Sequence, residues 1–211
     1  MTGLLSGQKF STRLDGDESL KKRPMDRVKE PLEEIGAKIE TNNGRMPVDI
    51  FPSEIKGGSI DLSSPSAQVK SAIILAALSG NGELKINIDK VTRDHTEIML
   101  GYFTENIIIE KNCLTVIPDP KIITDQIEIP NDPSSAAFFI VGALINDNSD
   151  ILLKDICINP TRIKFIEILK NMGANILMNN ERNVSGELVA DINVKSSTLK
   201  GIEISESEIP L

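Results

Sequence analysis

Three stretches of this chain repeat one another: "MDRVKEPLEEIGAKIE" from Met25, "DHTEIMLGYFTENIIIE" from Asp94 and "TRIKFIEILKNMGANIL" from Thr161. Each reads as an amphipathic helix, then a glycine or polar turn, then a short strand. Each starts beside an arginine, at Arg23, Arg93 and Arg162, with spacings of 70 and 69 residues. A second helix type alternates with them. "SAQVKSAIILAALSGNG" from Ser66 resembles "DPSSAAFFIVGALINDN" from Asp132, and the pairs Ala77-Leu78 and Ala143-Leu144 fall 66 residues apart. "TGLLSG", from Thr2, matches the end "AALSG" of the Ser66 helix. Short helices resemble one another by chance, but the same order at the same spacing points to a repeated supersecondary unit.

Helices of the second type are rich in small residues and apolar nearly all round, which predicts burial in a core rather than at a surface. Between the helices, "PVDIF", "GSIDLS", "LTVIP", "QIEIP", "ADINVK" and "GIEIS" alternate apolar and polar residues as strands do. The unit is thus about 66 to 70 residues of two helices and some four strands. That predicts an α/β fold built of repeated βαβαββ units. In this register the chain opens on the last turns of one buried helix and stops at "SEIPL", where earlier copies enter the next. The expectation is a piece of a longer protein, truncated at both ends. The run "VIPDPKIITDQIEIPNDP" predicts a domain crossing near Pro130. Residues 1–129 would then be most of one three-repeat domain, lacking the start of its first unit, and 130–211 a partial second domain.

Charge and rare residues narrow the function. A formal net charge of −8 argues against a general nucleic-acid or anionic-membrane binder. Two cysteines, Cys113 and Cys157, give no disulfide framework or thiolate cluster, and both read as inert core residues. His95 is the sole histidine, which disfavours a zinc site or a Ser-His-Asp triad; in a first helical turn it reads as structural or exposed. No apolar run reaches the roughly 18 to 20 residues that span a bilayer. "MTGLLSGQKF" lacks the basic segment and apolar core of a signal peptide, so a soluble cytoplasmic protein is expected.

Against that acidic background, three motifs offer anion recognition. "KKRPMDRV" concentrates Lys21, Lys22, Arg23 and Arg27. Pro24 suits a first helical position, which would put Arg23 at a helix entrance where guanidinium and helix dipole meet one anion. Lys21, Lys22 and Arg27 read as solvated charges supporting the local field. In "SPSAQVKS", Ser64 or Ser66 suits a helix cap and Gln68 a first turn with its amide available. In "TRDHTE", Asp94 suits a cap and Arg93 a loop position facing a phosphate; the bland alternative is a surface pair of Arg93 with Asp94 or Glu97. The "DPSSAAFF" turn has Asp132, Ser134 and Ser135 but lacks the glycines of a phosphate loop, and reads as helix capping.

Together "TGLLSGQ", "GDESLKKRPM", "PLEEIGAKI", "SAQVKSAIILAAL", "TRDHTEIML", "DPSSAAFF", "NPTR" and "MGANI" resemble the 5-enolpyruvylshikimate-3-phosphate synthase family, in its bacterial branch with the "SAQ" substrate loop. The resemblance implies six βαβαββ units, three per globular domain, with the active site in the cleft between domains. It implies transfer of the enolpyruvyl group of phosphoenolpyruvate to the 5-hydroxyl of shikimate 3-phosphate, with release of phosphate and with no metal or organic cofactor. By resemblance Arg23 matches the arginine that contacts phosphoenolpyruvate. Ser66, Ala67 and Gln68 match the loop that holds shikimate 3-phosphate, with Gln68 near both ligands, and Arg93 matches an arginine on shikimate 3-phosphate. The family's Lys-Ser pair and "GNxGT" loop would precede Met1, and its catalytic acid and base groups would follow Leu211. The expected chain is therefore inactive alone, with no nucleic-acid or membrane partner and a monomeric full-length form. Two other readings stay open: an enolpyruvyl transferase with another acceptor, and a non-catalytic anion-binding or structural remnant.

Overall fold

The structure, a computed structural model, describes residues 1–62, 65–124 and 126–205. The chain divides into two compact units, Met1–Asp125 and Gln126–Leu211. The first unit opens with α1 (Thr2–Ser6), β1 (Thr12–Leu14), the single turn α2 (Glu18–Lys21), α3 (Asp26–Glu34), β2 (Lys38–Asn42) and β3 (Arg45–Phe51). It continues with β4 (Gly58–Asp61), α4 (Ala67–Ala77), β5 (Leu84–Asn87), α5 (His95–Phe103), β6 (Ile107–Ile109) and β7 (Cys113–Val116). From β4 to β7 the order is βαβαββ, as the repeat predicts. β4 and β5 run parallel on either side of α4 in sequence, β6 and β7 form an antiparallel pair, and the sheet order is β4-β5-β7-β6.

The preceding stretch repeats that arrangement without its first strand, as the antiparallel sheet β1-β3-β2. The second unit repeats it again: α6 (Pro133–Ile145), β8 (Asp150–Cys157), α7 (Lys164–Asn171), β9 (Asn175–Val184) and β10 (Glu187–Lys195) give the sheet β8-β10-β9. In every copy the last strand in sequence sits between the two before it.

Two expected strands do not form. "QIEIP" is reduced to one parallel bridge just beyond it, Asn131 to Ile156, with Ile129 80% exposed. "GIEIS" pairs with nothing among the described residues, and Ile202 and Ile204 are exposed. Alternation describes a chain ready to lie on a sheet, but a strand exists only where a neighbour offers an edge. "SEIPL" lies outside the described residues, as does Ser64.

Each unit has its own core. Leu32, Ile50, Ile60, Ile73, Ile86 and Leu114 are among the fully buried side chains of the first, and Ile140, Ile166, Ile192 and Val194 of the second. Burying such a side chain contributes about 1.5–3 kcal/mol. Helix α4 is covered as expected, because α1 and α3 both lie against it. Helix α6 is not. It buries Ala136, Ile140, Ala143 and Leu144 and lies against β8 and β10, while Phe138 and Phe139 remain 82% and 65% exposed. An all-apolar helix is covered on every side only where elements stand on every side, and within its own unit α6 meets them on one.

Gly3 sets the approach of α1 to α4. A Cβ at this position would fall 1.9 Å from the Ala72 carbonyl oxygen, so only glycine allows the two backbones this close. Gly3→Ala is expected to destabilise the first unit by about 1–3 kcal/mol through overpacking. Urea denaturation of the two proteins checks this; an unchanged midpoint contradicts it.

Candidate functional site

Three helix starts in the first unit carry the candidate residues. The first is the entrance to α3. Arg23 is exposed, in the bend between α2 and α3, and its N–H closes a turn on the Leu20 carbonyl at 3.0 Å. Pro24 is not the first helical residue: the helix starts at Asp26, with Met25 at the cap position. The β2–β3 hairpin holds this entrance. Its turn, Asn43-Gly44, has positive φ at both residues (50° and 75°), the backbone of a tight hairpin. It presents the Gly44 carbonyl to the Met25 N–H at 2.7 Å, and Arg45 Nη1 donates to the Lys22 carbonyl at 2.8 Å. The segment bearing Arg23 is thus clamped to the hairpin on both sides. Among the described residues the Arg23 side chain has no hydrogen-bond or ion-pair partner, so its donors face outward.

The second start is α4. Ser66 is its cap, with extended backbone, and its hydroxyl accepts the Val69 N–H at 3.4 Å. Ala67 and Gln68 open the helix, Ala67 half-buried and Gln68 exposed. A cavity of about 90 Å³ lies beside the segment leading into this helix, lined by Leu62, Pro65, Asp89 and Lys90. The third start is α5. Arg93 is exposed in the loop just before it. Asp94 takes the cap position and its carbonyl accepts the Ile98 N–H, but its side chain makes no capping hydrogen bond. His95 is the first helical residue and is half-buried.

These starts are tied together by side-chain contacts between residues distant in sequence. Arg27 Nη2 donates to Gln68 Oε1 at 2.7 Å, joining α3 to α4. Lys70 and Glu97 form an ion pair joining α4 to α5, with the residues only 2% and 3% exposed. Next to it Ser71 Oγ and Thr96 Oγ1 lie 2.6 Å apart. Ser71 spends its one hydroxyl proton on the Ala67 carbonyl at 2.8 Å, so Thr96 is the donor of that contact. Glu97 is therefore not a surface partner of Arg93; burial assigns it to Lys70. Arg23 and Arg93 each stand four residues before a tie, at Arg27 and Glu97, in the segments that lead into α3 and α5. A signal for the ion pair was available: Lys70 and Glu97 are lone charges of opposite sign on helices that are otherwise strongly apolar, and a buried charge demands a counter-charge.

In the second unit the equivalent turn is already closed. Asp132 caps α6, accepting from the Ser134 and Ser135 N–H groups, and Pro133 takes the first helical position. Arg162, the repeat equivalent of Arg23 and Arg93, donates to Asp132 Oδ1 and to Ser134 Oγ, both at 2.8 Å. Burial alone would raise the Asp132 carboxyl, but the hydrogen bonds from Ser134, Ser135 and Arg162 together hold it below the usual carboxylate value. Cys157 is buried, and desolvation pushes its thiol up, away from a reactive thiolate. Among the described residues of either unit taken alone, no three His, Cys, Asp or Glu ligand atoms converge. No helix among them is long and apolar enough to cross a membrane.

The Lys70–Glu97 pair makes a sharp prediction. Glu97→Gln leaves a buried ammonium without its counter-charge and is expected to cost about 3–5 kcal/mol, whereas Lys70→Met with Glu97→Met together recovers most of that loss. Urea denaturation of the single and double variants checks it. A loss below about 1 kcal/mol for Glu97→Gln contradicts the pair's burial.

The family model described as EPSP synthase (3-phosphoshikimate 1-carboxyvinyltransferase) matches residues 1–210. The 3-phosphoshikimate 1-carboxyvinyltransferase of Ruthia magnifica subsp. Calyptogena magnifica is 48% identical over 212 residues, covering 100% of this chain and 49% of that one. That of Thermoanaerobacter sp. (strain X514) is 43% identical over 211 residues, covering 100% of this chain and 50% of its own. The chain thus spans about half the length of the curated relatives it matches. The structure of EPSP synthase from Acinetobacter baumannii superposes with a TM-score of 0.88 at 46% identity, over 99% of this chain and 48% of that one. The enolpyruvyl transferase NikO from Streptomyces tendae shares the fold, with a TM-score of 0.62 at 13% identity over 93% of this chain and 46% of its own. On the match across residues 1–210, the chain belongs to the EPSP synthase (3-phosphoshikimate 1-carboxyvinyltransferase) family.

Proposed function

We propose that this chain carries part of the substrate site of a cytoplasmic enolpyruvyl transferase acting on shikimate 3-phosphate and phosphoenolpyruvate. The reaction is transfer of the enolpyruvyl group to the 5-hydroxyl of shikimate 3-phosphate with release of phosphate, a step of aromatic amino-acid biosynthesis. Ser66, Ala67, Gln68 and Arg93 would hold shikimate 3-phosphate, and Arg23 the phosphoenolpyruvate, with Gln68 near both. On this reading the first unit is most of one globular domain and the second is the beginning of the other. The full-length form is a monomer.

The observation that carries the reading is the linkage of the three helix starts through α4: Arg27 to Gln68 on one side, Lys70 to Glu97 on the other. Both substrates are polyanions. Two exposed arginines, an exposed amide and the donor-rich first turn of α4 are what such ligands require, and fixed donors stabilise developing charge without reorganising. The contrast with the second unit supports the assignment, because there the corresponding arginine is spent on Asp132.

On this reading the proton-transfer groups are not among these 211 residues, and no residue of this chain takes that role. Calorimetric titration with shikimate 3-phosphate is expected to show saturable binding, weakened by Arg93→Ala; no heat at millimolar ligand contradicts the assignment of Ser66, Gln68 and Arg93. In a steady-state assay of phosphate release from both substrates, the 211-residue chain is expected to give no turnover above background. Turnover near that of a full-length relative contradicts the absence of the catalytic groups.

A further inference from the structure

We propose that Arg27 is a positioning residue that fixes which face of the Gln68 amide meets the ligand. The inference rests on the functional reading above and deepens it. Arg27 and Gln68 are each the second residue of their helix, and Arg27 Nη2 lies 2.7 Å from Gln68 Oε1. A guanidinium has five N–H donors and no acceptor. The amide can meet it only through its oxygen, so the Gln68 NH2 group points elsewhere. Among the described residues that NH2 group has no partner.

The consequence is chemical. A free carboxamide rotates and presents either an acceptor oxygen or two donor N–H groups. Facing phosphate or carboxylate oxygens, the first is repulsive and the second binds. Arg27 removes the wrong choice before the ligand arrives, which lowers the ordering cost of binding. Its own position is set from outside the site. The Gly44 carbonyl holds the Met25 N–H at 2.7 Å, and the Met25 carbonyl in turn accepts the Val28 and Lys29 N–H groups at 3.0 Å. Arg45 holds the Lys22 carbonyl. The hairpin turn therefore sets the start of α3, α3 sets Arg27, and Arg27 sets Gln68. A solvated charge that merely raises the local field, which is how the sequence reads this arginine, would have no such dependence on Gln68.

The two roles separate in a double-mutant cycle on the 211-residue chain, read by calorimetric titration with shikimate 3-phosphate. Arg27→Met is expected to weaken binding about tenfold, the worth of one hydrogen bond to a charged group, and Arg27→Lys to recover part of the loss. In a Gln68→Ala background Arg27→Met is expected to have no further effect. The same tenfold loss in that background would mean a field effect and overturns the proposal, as does unchanged binding in Arg27→Met alone. A second readout needs no ligand: relaxation of the Gln68 side-chain NH2 signals by NMR. The amide is expected to be ordered in the unaltered chain and in Arg27→Lys and mobile in Arg27→Met; equal order in all three overturns the proposal. Failure of the unaltered chain to bind shikimate 3-phosphate counts against the functional reading, and the amide order then decides the role of Arg27 by itself.

Discussion

Lys70 and Glu97 face each other inside the first unit, and the arrangement of the candidate site depends on them. Both charges are almost wholly removed from water, so neither is tolerable without the other. That mutual requirement restricts how α4 and α5 can slide or rotate against each other, since a shift of one turn would strand two charges. Replacing the pair by apolar side chains would preserve much of the stability and relinquish that selection of one register. The pair lies two residues past Gln68 in α4 and four past Arg93, which precedes α5, so the register it selects sets the spacing of the starts of these two helices.

The remaining helix start is fixed differently. Among the described residues Arg23 is in no buried ion pair; its segment is clamped to the β2–β3 hairpin through its backbone groups, the Met25 N–H to the Gly44 carbonyl and the Lys22 carbonyl to the Arg45 side chain. Backbone clamping holds the chain while leaving the guanidinium unspent. In the second unit the opposite choice is made: Arg162 is consumed by Asp132 and Ser134, which secures the start of α6 and removes a free cation. One repeat thus provides the same position as an outward cation in one place and as a structural strut in another.

What the sequence made legible follows from what local patterns encode. The βαβαββ order could be read because helix and strand periods are local and because three copies reinforced one another. Arg23, Ser66, Gln68 and Arg93 could be placed near helix starts because helix starts carry recognisable residues. The strands at "QIEIP" and "GIEIS" failed because pairing depends on an edge elsewhere. α3 starts at Asp26 rather than Pro24, and the segment before it is bonded to a hairpin some twenty residues on, a contact no helix signal foretells. Arg27 reads as a solvated charge in the sequence because its partner lies 41 residues away. The buried pair was within reach, but only by asking what a lone lysine does on a helix that is otherwise apolar.

The central claim is that the first unit presents a preformed anion site at the starts of α4 and α5, whereas the matching turn of the second unit is self-satisfied. Backbone amide chemical shifts of the 211-residue chain, followed by NMR as shikimate 3-phosphate is added, test it most directly. The account predicts saturable shifts at Ala67, Gln68 and Arg93, with Ser134 and Ser135 unmoved. Shifts centred on Ser134 and Ser135, or none at the starts of α4 and α5, would contradict it.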